Sequence, residues 1–248
     1  MSYLSNYIER MRSEGKKDFA DSIEKTAKKI GDKELSKFDY ASHQIGLLFG
    51  NIQSGKTGHV FGVICEAVDL GFPFFLFLTT DNTTLQEQTY ERAKKELTDF
   101  VVCDENEEQK FRNHGDKPVI VVVKKNHSVL KASANRFKNS NMLLGNPLFI
   151  IDDEADAASL NTKVNQGDVS SINKFLQEII GTAQSSIYLQ MTGTPQSLLL
   201  QSSTSGWHPL FVDYFEPGKK YIGGNFFFPK DTTPDFVRFI DNDSPMEI

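Results

Sequence analysis

Eight consecutive residues, Gly50-Asn51-Ile52-Gln53-Ser54-Gly55-Lys56-Thr57, have the types and spacing to cradle a polyphosphate. Gly50 and Gly55 let the backbone turn so that successive N–H groups point inward at phosphate oxygens. The helix expected to follow adds its free N-terminal amides and its dipole. Lys56 can bring positive charge to the β- and γ-phosphates, and the Thr57 hydroxyl can coordinate magnesium. The expected ligands are therefore ATP, or another purine nucleoside triphosphate, and Mg2+. A second chemical cluster lies about 100 residues on, where the apolar run Leu148-Phe149-Ile150-Ile151 ends in Asp152-Asp153-Glu154-Ala155-Asp156. A carboxylate at such a strand end holds magnesium directly or through water, and a neighbour orients the attacking water. Asp152 and Asp153 compete for the magnesium role.

A third cluster, Met191-Thr192-Gly193-Thr194-Pro195, follows another apolar run. With the Asp-Glu-Ala-Asp tetrad at 153–156, the tripeptide Thr192-Gly193-Thr194 resembles the motif that couples ATP hydrolysis to movement in superfamily-two helicases. Aligning the tetrad gives Asp153 to magnesium and Glu154 to water activation, and leaves Asp152 behind them or as a cap on the strand end. Lys56, Asp153, Glu154 and Thr194 are the catalytic candidates on this reading. Thr79-Thr80, with a helix bearing Gln88 and Arg92, resembles the segment that touches the nucleic-acid backbone in the same group. The combination is similar to the Z-one domain family, helicase-like ATPases of bacterial restriction and defence. The residues that carry this are Gln53 to Thr57, Ile151 to Asp156 with Ser159 and Asn161, Thr192 to Pro195, and Pro217-Gly218 through Tyr221-Ile222-Gly223-Gly224 with Phe226-Phe227. The likeness spans about residues 45 to 230 and implies the first RecA-like lobe of an ATP-driven DNA translocase or remodeller. It also implies DNA, a second RecA-like lobe and a nuclease module as partners of the full-length protein, although no Asp…Glu-x-Lys nuclease signature occurs here. Arg238 is the only arginine after Arg136, and its Phe-Val-Arg-Phe setting is no arginine-finger motif. The isolated chain is therefore expected to bind nucleotide weakly and to hydrolyse ATP slowly.

These clusters must be positioned by strands alternating with helices. Apolar runs at 45–49, 74–78, 119–123, 148–151 and 187–191 lack the alternation of a one-sided strand, which implies burial on both faces in a parallel sheet. Helices are expected at 57–70, 84–97, 127–138 and 171–180, with ligands at the carboxyl ends of the strands. The fold class is α/β: a RecA-like, three-layer phosphate-loop domain with a mostly parallel sheet and an N-terminal helical segment. That segment, 1–38, reads as two amphipathic helices packed on the main domain. The ATP-binding lobe is placed at 39–202, and an irregular or β-hairpin appendage at 203–248. The acidic, polar stretch Asp104 to Asp116 reads as an exposed loop or insertion.

The remaining features mostly exclude. A net charge of -6 over 248 residues argues against a protein that coats nucleic acid by overall charge, though not against a local basic groove. Lys124-Lys125 and Lys94-Lys95 are the candidates for such a groove. Cys65 and Cys103 have no metal or disulfide spacing, and the five histidines show no paired ligand spacing. No signal peptide or membrane-length apolar run is visible, so a soluble cytoplasmic protein without a membrane partner is expected. Gln44 is a candidate adenine contact, although closer to the loop than the usual helicase glutamine. A competing reading is a nucleotide-gated interaction module that recruits a nuclease or sensor with little turnover. A small-molecule kinase is weaker, since it leaves the tetrad and Thr192 to Thr194 without a purpose.

Overall fold

A computed structural model describes residues 2–51, 54–140, 143–158, 171–200 and 206–223, together with 226, 229 and 232. In chain order the elements are α1 (Tyr3–Ser13), α2 (Lys17–Lys33), a 3-10 turn (Leu35–Lys37), β1 (His43–Phe49), α3 (Lys56–Asp69), β2 (Phe74–Thr79) and α4 (Thr83–Glu96). There follow β3 (Val101–Asp104), α5 (Glu108–Arg112), β4 (Val119–Lys124), α6 (His127–Ser140), β5 (Pro147–Asp153) and α7 (Ala155–Ala158). The last are α8 (Ser171–Ile180), β6 (Ser185–Thr192), α9 (Gln196–Leu199) and β7 (Phe211–Tyr214). No helix among the described residues is long and apolar enough to cross a membrane.

The seven strands form one parallel sheet in the order β3-β4-β2-β5-β6-β1-β7. The continuous apolar runs are explained by what covers each face. Phe75, Phe77, Phe149, Ile151, Leu189 and Met191 join the core shared with α1, α2 and α3. Their sequence neighbours Phe74, Leu76, Leu78, Leu148, Ile150 and Tyr188 join the core shared with α6 and α8. Successive side chains point to opposite faces, so a strand covered on both sides is mostly apolar along its length. The chain is thus a three-layer α/β domain.

The N-terminal helices complete one layer. α2 lies against α3 so closely that a Cβ on Gly62 would fall 2.4 Å from Ile23 Cγ2. α3 is buried along its whole middle, from Gly58 to Ala67, because α2 covers the face turned away from the sheet.

Two expectations change. In the stretch after residue 203, expected as irregular or hairpin, the described residues include a strand, β7, parallel to β1 with Gly46 opposite Phe211 and Phe49 opposite Tyr214. Phe211 and Phe215 enter one core and Trp207 the other, where it meets Tyr188 edge-on at 5.2 Å. The segment Asp104 to Asp116, expected as an exposed loop or insertion, begins at the last residue of the edge strand β3 and contains α5. A four-residue strand bonded to one neighbour only leaves little periodicity to detect.

Candidate functional site

β6 lies between β1 and β5, and the register brings three distant segments to one edge. Phe49, the last residue of β1, is level with Thr192, and Asp153 is level with Met191. The phosphate loop, the acidic strand end and the threonine tripeptide therefore emerge side by side at the carboxyl end of the sheet. Gly50 N–H donates to the Thr192 carbonyl at 3.4 Å and joins the first to the third.

Gly55 caps α3 with φ of 87°, in the left-handed region that favours glycine. Its carbonyl accepts from Gly58 N–H at 3.0 Å as the helix begins. Ser54 is buried and donates through both its amide and its hydroxyl to the Asn51 carbonyl. Ile52 and Gln53, expected in the loop, lie outside the described residues. Lys56 and Thr57 occupy the first turn of α3, and Lys56 Nζ donates to Glu154 Oε1 at 2.9 Å.

Glu154 adopts φ of 52°, a left-handed conformation uncommon for a residue with a side chain. The Lys125 ammonium explains how this is held. It donates to the carbonyls of Asp153 at 2.7 Å and Glu154 at 2.9 Å, and pairs with Asp152 Oδ1 at 2.6 Å. Asp152 Oδ2 in turn accepts from the Tyr188 hydroxyl. The lysine expected to face a nucleic-acid track is instead fully buried, and it fixes the backbone from which Glu154 projects. Asp152 is a structural partner of Lys125, leaving Asp153 as the strand-end carboxylate that reaches the cleft.

Burial pushes the Asp153 carboxyl up to about 6, helped by the Glu154 charge and opposed by Lys56 and Lys125. A carboxylate short of compensating charge, in a cleft with the Thr57 hydroxyl, fits a magnesium ion, whose charge would favour its ionised form. Asp156 completes the edge. It accepts from Thr192 Oγ1 at 2.7 Å and from Thr194 Oγ1, while Thr194 N–H donates to Thr192 Oγ1 at 2.9 Å. Burial works against the Asp156 charge, yet these hydroxyls hold its carboxyl below the usual range. Gly193 lies at the turn between the two threonines. Neither Asp156 nor Tyr188 carries a role in the sequence reading, although two hydroxyls at 192 and 194 imply an acceptor nearby.

Thr80, Gln88 and Arg92 line a cleft of about 260 Å³ together with Thr57, Asp153 and Glu154. These three expected nucleic-acid contacts thus sit beside the carboxylates. The Thr80 hydroxyl is buried there without a hydrogen-bond partner among the described residues. Arg92 bonds Glu96 at 2.9 Å and lies 5.7 Å from the centre of the Phe61 ring. Lys124 bonds the Thr83 hydroxyl at 3.4 Å with Glu105 at 3.8 Å, and Lys94 pairs with Glu91. Gln44 lies at the opposite end of β1, about 20 Å from Gly50 at the usual rise of a strand. Its amide donates to the Ser42 hydroxyl, and its distance from the loop sets it apart from the expected adenine contact.

No family model matches the chain, and no curated protein matches it. Among solved structures it is similar to the crystal structure of the Pyrococcus furiosus Hef helicase domain, at 13% identity and a TM-score of 0.50. The match covers 76% of this chain but 36% of the other, so the chain spans little more than a third of that protein's length. The structure of C. elegans PCH-2 is also similar, at 10% identity and a TM-score of 0.39 over 80% of this chain and 43% of the other, too distant to carry an argument. The strand order, the parallel sheet and the first of these likenesses together make this a three-layer α/β domain of RecA-like fold.

Proposed function

We propose that this chain is the ATP-binding and hydrolysing lobe of a helicase-like DNA translocase or remodeller, of the Z-one domain kind that serves bacterial restriction or antiphage defence. The observation that carries the reading is the meeting of Lys56, Thr57, Asp153 and Glu154 at one sheet edge, with Asp156 tying the acidic strand end to Thr192 and Thr194.

Each residue has a task in such a reaction. The Ser54 to Thr57 segment and the start of α3 hold the phosphates, and Lys56 leaves Glu154 to reach them. Glu154 is then free to take a proton from the attacking water. Asp153 and the Thr57 hydroxyl would hold magnesium, whose chemistry there is to neutralise charge on the β- and γ-phosphates. The Asp156 bridge lets a change at the β5 end shift Thr192 and Thr194, and so pass to a second lobe. An arginine from that lobe, or from a partner, would supply the remaining charge at the γ-phosphate.

The Lys56–Glu154 pair also favours a second reading, a nucleotide-gated module with little turnover, because the water-activating carboxylate is engaged until phosphate draws the lysine away. The test is ATP binding and hydrolysis by the intact protein, with and without DNA, in the wild type, Lys56→Ala and Glu154→Gln. A motor loses DNA-stimulated turnover in Glu154→Gln while keeping ATP binding. A gated module keeps its biological output in that variant. Wild-type protein that binds no ATP with magnesium would overturn both.

A further inference from the structure

The phosphate loop separates two cavities of different chemistry. On the Thr57 side lies the carboxylate cleft with Asp153 and Glu154. On the Ser54–Gly55 side lies a larger one of about 450 Å³, walled by the turn between α1 and α2 and by residues 218–221. Phe19, Tyr221 and the lysines Lys17, Lys219 and Lys220 line it, with Asp18 as the carboxylate present. Those three lysines have no ion-pair partner among the described residues. Phe19 is braced against the loop: a Cβ on Gly55 would fall 2.6 Å from its Cζ, and its ring meets His59 edge-on at 5.5 Å.

The two walls are joined, although they lie 194 residues apart in the chain. Ser22 Oγ donates to the Glu216 carbonyl at 2.6 Å, Lys25 pairs with Glu216 at 2.9 Å, and Lys29 pairs with Asp213 at 2.6 Å. The N-terminal helices and the segment after β7 therefore form one built rim beside the loop.

We infer that this cavity takes the nucleoside end of the triphosphate, an inference that rests on the nucleotide reading above. The Thr57 side offers the groups suited to metal and γ-phosphate, which leaves the Ser54–Gly55 side to the ribose and base. A flat purine suits the Tyr221 and Phe19 rings. Asp18 offers an acceptor to ribose hydroxyls or an exocyclic amine, and Lys219 and Lys220 place positive charge near the α-phosphate. The site replaces Gln44, which the strand direction carries away from the loop.

Calorimetric titration of the chain with ATP and with inorganic tripolyphosphate, both with Mg2+, tests this. Tyr221→Ala should weaken ATP binding about tenfold, the usual loss of one aromatic stack on a base, and change tripolyphosphate binding less than about twofold. Phe19→Leu, which keeps an apolar brace on Gly55, should show the same selectivity. Lys56→Ala should weaken both ligands. Equal losses for ATP and tripolyphosphate in Tyr221→Ala and Phe19→Leu, or no loss of ATP in either, would overturn the inference and leave the nucleotide reading intact. Wild-type protein that binds neither ligand would overturn the nucleotide reading and the inference together.

Discussion

Two lysine–carboxylate pairs of the same chemistry stand at the carboxyl edge of the sheet, and they differ in what surrounds them. Lys125 and Asp152 meet at 2.6 Å with both side chains 0% exposed. Lys56 and Glu154 meet at 2.9 Å with 15% and 41% of their side chains exposed. The first pair is shut off from solvent, so each charge depends strongly on the other. The second is in contact with water, is worth little to stability, and can exchange its carboxylate for a phosphate. Burial thus makes one pair a strut and leaves the other open to exchange. The strut supports the exposed pair, since the Lys125 ammonium fixes the carbonyls of Asp153 and Glu154.

The sharpest way to break this contrast is to remove each lysine in turn. Lys125→Met strands Asp152 in the core and should cost about 3–5 kcal/mol in denaturant unfolding. Adding Asp152→Leu should recover part of that loss. Lys56→Met should cost no more than about 1 kcal/mol. Equal losses from the two lysines would end the distinction between strut and switch.

On the functional side, Glu154→Gln should lower ATP turnover by about a hundredfold or more in the intact protein, the usual contribution of a positioned base. The same variant should bind ATP at least as tightly as the wild type, because the lysine no longer has a carboxylate to leave. Weaker binding would show that the pair does not compete with phosphate.

His59 offers the contrasting case of a buried titratable group without a carboxylate partner. It lies between Phe19 and Phe215 and bonds the Thr26 hydroxyl, and burial lowers its pKa to about 4. Below its ordinary value near 6.5 the unfolded chain takes up a proton that the folded chain refuses. Stability should therefore fall between pH 6.5 and 4 and then level off, by roughly 3 kcal/mol from this group. His59→Leu should remove that part of the pH dependence in thermal melts. An unchanged profile would assign it to other groups.

The smallest effect belongs to Lys124. On the proposed DNA-binding reading, Lys124→Glu alone should leave the fold intact and reduce the salt slope of DNA binding by about one, and an unchanged slope would remove Lys124 from the contact. Changing Lys125 with it would confuse a surface effect with loss of the strut.

The parts of the site set by local chemistry were legible in the linear sequence. Gly55, Lys56 and Thr57 announce a phosphate loop because the turn, the charge and the helix start are adjacent in the chain. The five central strands were legible because burial on both faces leaves their middles almost wholly apolar, with Gln190 of β6 the buried exception. β3 and β7 were not, since four-residue edge strands pair with one neighbour and carry little pattern. Lys125 was placed wrongly because a lysine after a strand is usually solvated, and its partner Asp152 lies on a different strand.

The sequence by itself determined the class of the domain, the strands that build it and three segments capable of phosphate chemistry. Their types follow from nearest-neighbour patterning. The tertiary structure decided which carboxylate is buried with Lys125 and which can reach the cleft. It also decided that Asp156 joins Thr192 and Thr194, and that the N-terminal helices and the segment after β7 form a rim beside the loop. These outcomes depend on strand order and burial, which bring together groups that the chain keeps far apart and remove water from some pairs but not from others.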